Sequence, residues 1–164
     1  MNWAYLHVII NHFPIVGVII GTLLLIVGMY YKNEGVTISG LGTIVFAAIM
    51  GVIVDLTGDP AKETVEGMPD MVQSLIIRHE DIASAAMFIL IPAGLLAVVS
   101  LYSIWKKEKS VRYLVIITLV FSLISCVGMG FAGRTGGQIR HTEFRNDATK
   151  QYIIEHQNDK PEED

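Results

Sequence analysis

Histidine stands at positions 7, 12, 79, 141 and 156 of this 164-residue chain. Imidazole is the commonest protein ligand for metals, and its neutral ring takes iron, copper or zinc. Carboxylates accompany the first three: Asp55, Asp59, Glu63, Glu80 and Asp81. Asp55 is placed to hold the second nitrogen of a ligating histidine, to move a proton, or to pair with Arg78 or Arg134. His7 and His12 are five residues apart, about 140° around a helix, so one ring cannot point where the other does. His79 and Glu80 diverge by about 100° and do not serve one ion together. Singly, each histidine could cap a helix or sit at an interface. Four of them (His7, His12, His79 and His141) at one end of three helices suggest a ligand site.

The elements that must position them are membrane spans. Hydrophobic residues make up 52% of the chain and charged residues only 17%, against about a quarter in soluble domains. Asp, Glu, Lys and Arg are absent from 1–31, 35–54, 82–105 and 113–133, each run near the roughly 20 residues that cross a bilayer as helix. The fold class expected is all-α, an integral membrane four-helix bundle over residues 1–145. Its spans are placed at about 4–31, 37–57, 80–105 and 111–133, and a polar acidic tail, 146–164, is read as a fraying helix extension. Runs such as Leu23-Leu24-Leu25-Ile26-Val27 lack the alternation of a transmembrane barrel. A soluble enzyme, a nucleic-acid-binding domain and a disulfide-stapled module are excluded. The apolar start is too long for a cleaved signal peptide and has no basic residue before it. The single Cys126 lies inside the fourth run and reads as a small apolar residue.

Four spans put both termini on one side. The connectors 32–36 and 106–112 carry +3 and the remainder −7. Basic short loops mark the cytoplasmic side, so the termini and the histidines are expected on the outer face of the membrane. Counting back about 20 residues from the inner connectors puts His12 and Asp55 level with the outer hydrocarbon edge. His7 then lies about 8 Å above that edge, His79 about 10 Å, and His141 about 15 Å if the last helix is unbroken. Gly136-Gly137 would let the chain turn back and lower His141. Asp59-Pro60 reads as a helix start. Gly17-x-x-x-Gly21 reads first as helix packing, whereas Gly128, Gly130 and Gly133 lie just below the histidine layer, where a flat cofactor would need room.

The stretch His7-Val-Ile-Ile-Asn-His12-Phe13-Pro14-Ile15 resembles the opening of a family of small four-helix bacterial membrane domains of unassigned function. Its later marks correspond to Gly51 and Asp55, His79, and Gly136-Gly137 followed by Gln-Ile-Arg-His141. The resemblance covers residues 1–145 and departs at Val8, where many members carry proline. Members are often joined to, or encoded beside, cytochrome c and Rieske-type modules, which implies redox work in the membrane.

The first reading is therefore a b-type cytochrome with one or two haems near the outer face, an electron-transfer subunit rather than a stand-alone enzyme. It would relay electrons between the quinone pool and a periplasmic cytochrome c or Rieske-type partner. Depth suggests His12 and His79 as one axial pair, with His7 and His141 as a second pair or as replacements. Asp55 and Arg140 would be supporting or propionate contacts. A second reading has the same ligands hold bare iron, copper or zinc. A third is a cofactor-free structural or assembly subunit. Lipid, and a second copy of the chain, are the other expected partners.

Overall fold

The computed structural model describes residues 2–65, 68 and 71–156, and over these the chain is helical. Helices α1 (Trp3–Ile10) and α2 (His12–Tyr30) together form the first span. Pro14 has no N–H for the Ile10 carbonyl, and the two helices part at Asn11. The second span is α3 (Glu34–Asp55). A short α4 (Gly58–Val65) follows, then α5 (Gln73–Trp105), α6 (Val111–Arg140), a 3₁₀ turn (Thr142–Phe144) and α7 (Asp147–Glu155). Asn2, Asn33 and Asn146 start α1, α3 and α7 by accepting the backbone N–H of Tyr5, Val36 and Thr149, as asparagine does at helix N-caps.

Trp3–Tyr30, Glu34–Asp55, Gln73–Trp105 and Val111–Arg140 are each long and apolar enough to cross a membrane. Their outward faces carry large apolar side chains such as Phe88, Leu23 and Val127, more than half exposed. Such a surface belongs in lipid. Inside, one core layer joins Val18, Ala47, Ala86, Met87, Leu90 and Met129. A second joins Leu25, Leu41, Ile44, Ala93, Ala97 and Val115 nearer the opposite end. Helices α2 and α3 touch through glycine: a Cβ on Gly28 would lie 2.6 Å from the Thr37 nitrogen, and one on Gly40 2.8 Å from that of Leu25. Gly17 and Gly21 serve the same contact, against Ala47 and Ile44. Packing between α5 and α6 is polar but satisfied. Ser100 and Thr118 are fully buried, lie 3.1 Å apart, and donate to the Leu96 and Leu114 carbonyls of their own helices.

Helices α1, α4 and α7 gather at the histidine end of the bundle. There the helices outrun the charge-free runs: α5 starts at Gln73 and α6 continues to Arg140, because charge does not stop a helix that has left the hydrocarbon. Gly136 and Gly137 therefore lie inside α6, and the chain turns at His141–Arg145 instead. Arg145 reaches back and donates to the carbonyls of Gln138 and Ile139, at 2.8 Å each. Helix α7 then folds onto the bundle, where the Arg78 guanidinium lies 4.6 Å from the centre of the Tyr152 ring. Of the expected tail, residues 157–164 lie outside the described residues. At the other end, Lys32 and Lys107 close α2 and α5 with left-handed backbone (φ 52° and 55°). The N–H groups that follow them, on Asn33 and Glu108, bond back to the Gly28 and Ser103 carbonyls, as in glycine-ended helices.

Candidate functional site

The structure brings His7 and His79 together. His7 projects from α1, and its Nδ1 lies 2.9 Å from the Thr57 hydroxyl, just beyond α3. Thr57 is buried and donates to the Val54 carbonyl at 2.7 Å. A hydroxyl has one proton. With that proton committed to Val54, the oxygen can only accept from His7, which assigns the ring proton to Nδ1. The neutral ring then keeps its lone pair on Nε2.

His79 repeats the arrangement on the other helix pair. Its Nδ1 lies 3.2 Å from the hydroxyl of Thr135 on α6. Thr135 is buried and bonds back to the Phe131 and Ala132 carbonyls, at 3.1 Å each. The same reasoning puts the His79 proton on Nδ1 and frees Nε2. The ring lies over Gly136, where a Cβ would stand 3.1 Å from Cε1 and 3.4 Å from Nδ1. Gly136, of the pair that suggested a turn, thus makes a floor for an imidazole, while Gly137 faces Phe144.

Each histidine comes from an odd-numbered span and its threonine from the chain that follows. The two rings are close enough for a charge on one to act on the other. Helix α1 packs mainly on α4, with lighter contact to α2 and α3, whereas α5 packs on α6 and α3. The imidazoles therefore come from helices that are not closely packed together, at the same end of the bundle. On the same face of the first span, one turn below His7, the Oδ1 of Asn11 is buried without a hydrogen-bond partner among the described residues.

The other expected site residues lie apart. Asp55 is exposed and acts on His7 through its charge; the hydrogen bond expected of it is made by Thr57. His12 is exposed and its Nδ1 is tied to the Val8 carbonyl at 3.0 Å. His141 is exposed beyond α6, 3.0 Å from Glu143 and beside the Phe144 ring. The Glu143 carboxyl is held below its usual range, first by its own backbone N–H and then by the His141 ring. Arg140 is exposed, and His156 stacks on Tyr152. Among the described residues, no three His, Cys, Asp or Glu side chains come together as a metal site.

Sequence reasoning overlooked Thr57, Thr135 and Asn11. The available signal was a threonine beside each polar landmark, in Asp55-Leu-Thr57-Gly58 and Arg134-Thr135-Gly136-Gly137.

An all-helical membrane bundle with a polar layer at one end defines the class. Residues 4–143 match the family described as "Predicted membrane protein (DUF2231)", and the chain belongs to that family. Searches of curated proteins and of solved structures each returned no match.

Proposed function

We propose that the domain is a b-type cytochrome subunit in which His7 and His79 would hold the iron of one haem. The observation that carries this reading is the pair of Nδ1–threonine bonds, which hold two imidazoles from separate spans at one end of the bundle and leave each Nε2 available as a donor atom. Ligating histidines usually have their second nitrogen held in this way, which fixes the tautomer and turns the ring. A porphyrin brings four nitrogens of its own and asks the protein for only two. That suits a site of two imidazoles better than a bare ion, which would need further donors.

A haem held there would supply one-electron exchange. The chain's own part is to orient the rings through Thr57 and Thr135, to give the His79 ring its flat seat on Gly136, and to exclude water with the apolar layer of Val18, Ala86, Met87 and Met129. The Lys and Arg residues of the two short connectors support an orientation with this layer at the outer face of a bacterial inner membrane and the termini on the periplasmic side. A centre at that depth suits a relay between quinone and a periplasmic cytochrome c or Rieske-type partner, within a larger complex.

A second reading draws on the same hydrogen bonds. His7–Thr57 and His79–Thr135 each tie two spans, and such bonds hold membrane helices together without any cofactor. One experiment separates the two. The chain is produced with added haem precursor, purified in detergent, and its visible spectrum recorded oxidised and reduced. A Soret band that shifts on reduction, absent from His7→Ala and His79→Ala but present in His12→Ala, supports the cytochrome. Folded, colourless protein from haem-replete cells overturns it: bound transition metal would then indicate direct ligation, and no metal the structural tie.

A further inference from the structure

A second site lies on the lipid-facing side of α5 and α6, with Thr135, the partner of His79, in the wall of its polar end. Between these helices runs an apolar groove of about 470 Å³. Its floor is small, formed by Ala85, Ala86 and Gly128, and Ile82 and Phe131 stand at its upper end. Ile82 and Phe131 also line a second, polar pocket of about 180 Å³, so the two adjoin. The polar pocket is bounded by Arg78 on α5, Arg134 and Gln138 on α6, and Asn146 and Thr149 at the start of α7.

Neither guanidinium has a carboxylate partner among the described residues. Arg78 rests on the Tyr152 ring, and Arg134 is exposed. The contrast is local, since this end of the chain carries a net −7 from its formal charges. Depth fits as well. Ile82 to Ile89 is about 10 Å of helix, and Arg134 lies about 5 Å beyond Phe131. The groove thus reaches into the hydrocarbon, while the arginines stand at headgroup level.

We propose that this groove is a binding site for one anionic phospholipid, its phosphate between Arg78 and Arg134 and one acyl chain along Ala85, Ala86 and Gly128. A guanidinium pair recognises phosphate oxygens by charge-assisted hydrogen bonds. The greasy channel below selects a lipid over a soluble phosphate. A neutral quinone would bring no phosphate, and a zwitterionic lipid would set its own cation beside the arginines.

The test is native mass spectrometry of the full chain, extracted into mild detergent and equilibrated with equal amounts of phosphatidylglycerol and phosphatidylcholine. Thermal unfolding is measured with each lipid and with inorganic phosphate alone. One phosphatidylglycerol should remain bound in preference to phosphatidylcholine, and it should raise the unfolding temperature where phosphate does not. Near a membrane surface each basic residue is worth about fivefold in binding. Arg134→Gln should therefore weaken retention about fivefold, and Arg78→Gln with Arg134→Gln about 25-fold. Gly128→Leu should also reduce retention by filling the groove, whereas Arg112→Gln at the other end should leave it unchanged. The proposal is overturned by equal retention of the two lipids, by unchanged retention in the double variant, or by a phosphate effect equal to that of the lipid. It is equally overturned by a quinone or a second copy of the chain occupying the groove with the arginines irrelevant. None of these readouts depends on haem.

Discussion

The Thr57 hydroxyl lies 2.9 Å from His7 Nδ1 and 2.7 Å from the carbonyl of Val54, so a single proton position decides the state of a ring on another helix. Thr135 and His79 repeat this on α6 and α5. Four spans are joined in two pairs by the same chemistry, and in both pairs Nδ1 is the bonded ring nitrogen.

Removing either hydroxyl while keeping its bulk tests that chemistry directly. Thr57→Val or Thr135→Val leaves a half-buried Nδ1–H without its threonine acceptor, at a cost of about 1–3 kcal/mol. Loss of such a supporting bond lowers metal affinity about 10–100-fold. Both variants are expected to unfold at lower temperature than the wild type in detergent. Both should also retain less haem per chain, measured by the pyridine haemochrome. Wild-type haem content in both would separate the threonines from the ligand site.

His12→Ala and His141→Ala should change little, within about 0.5 kcal/mol of stability and with unchanged haem content. His12 bonds only within the first span, to Val8, and the His141–Glu143 pair is exposed to solvent. The lowered Glu143 carboxyl stabilises the fold above its ordinary pKa and loses that contribution as pH falls through its folded value. The group is fully exposed, so unfolding temperatures of the wild type and Glu143→Gln, compared from pH 3 to pH 7, should stay parallel. A His12→Ala protein that lost its Soret band would return the axial role to His12.

The four spans could be read from the sequence because hydrocarbon tolerates so little charge: 35–54 and 113–133 contain none at all. The helix ends were harder. Arg78, Glu80, Asp81 and Arg134 interrupt the apolar pattern, yet they lie on α5 and α6 beyond the hydrocarbon, where the backbone continues to Gln73 and Arg140. Depth alone gathered the histidines into one layer. It could not say which ring faces inward, because the 140° between His7 and His12 allows either, and the rotation of α1 is fixed by its packing on α4. The threonines stayed hidden for a different reason: membrane helices use hydroxyls routinely to bond back to their own carbonyls, as Thr22, Thr43 and Ser125 do here.

The glycines of α6 and α2 separate a packing effect from a site effect. An added Cβ on Gly130 meets nothing within 4 Å. Gly130→Ala should thus gain up to about 1 kcal/mol of helix propensity. Gly28→Ala should lose several times that, because its Cβ would stand 2.6 Å from the Thr37 backbone nitrogen, which cannot yield without parting α2 from α3. Gly136→Ala falls between. The helix gains, but the methyl would press on the His79 ring at 3.1 Å and tilt it off Thr135. Its unfolding temperature should stay near that of the wild type, while the haem spectrum or metal content shifts. A Gly136→Ala protein with a wild-type site, measured beside Gly130→Ala, would mean that the His79 ring does not need its flat seat.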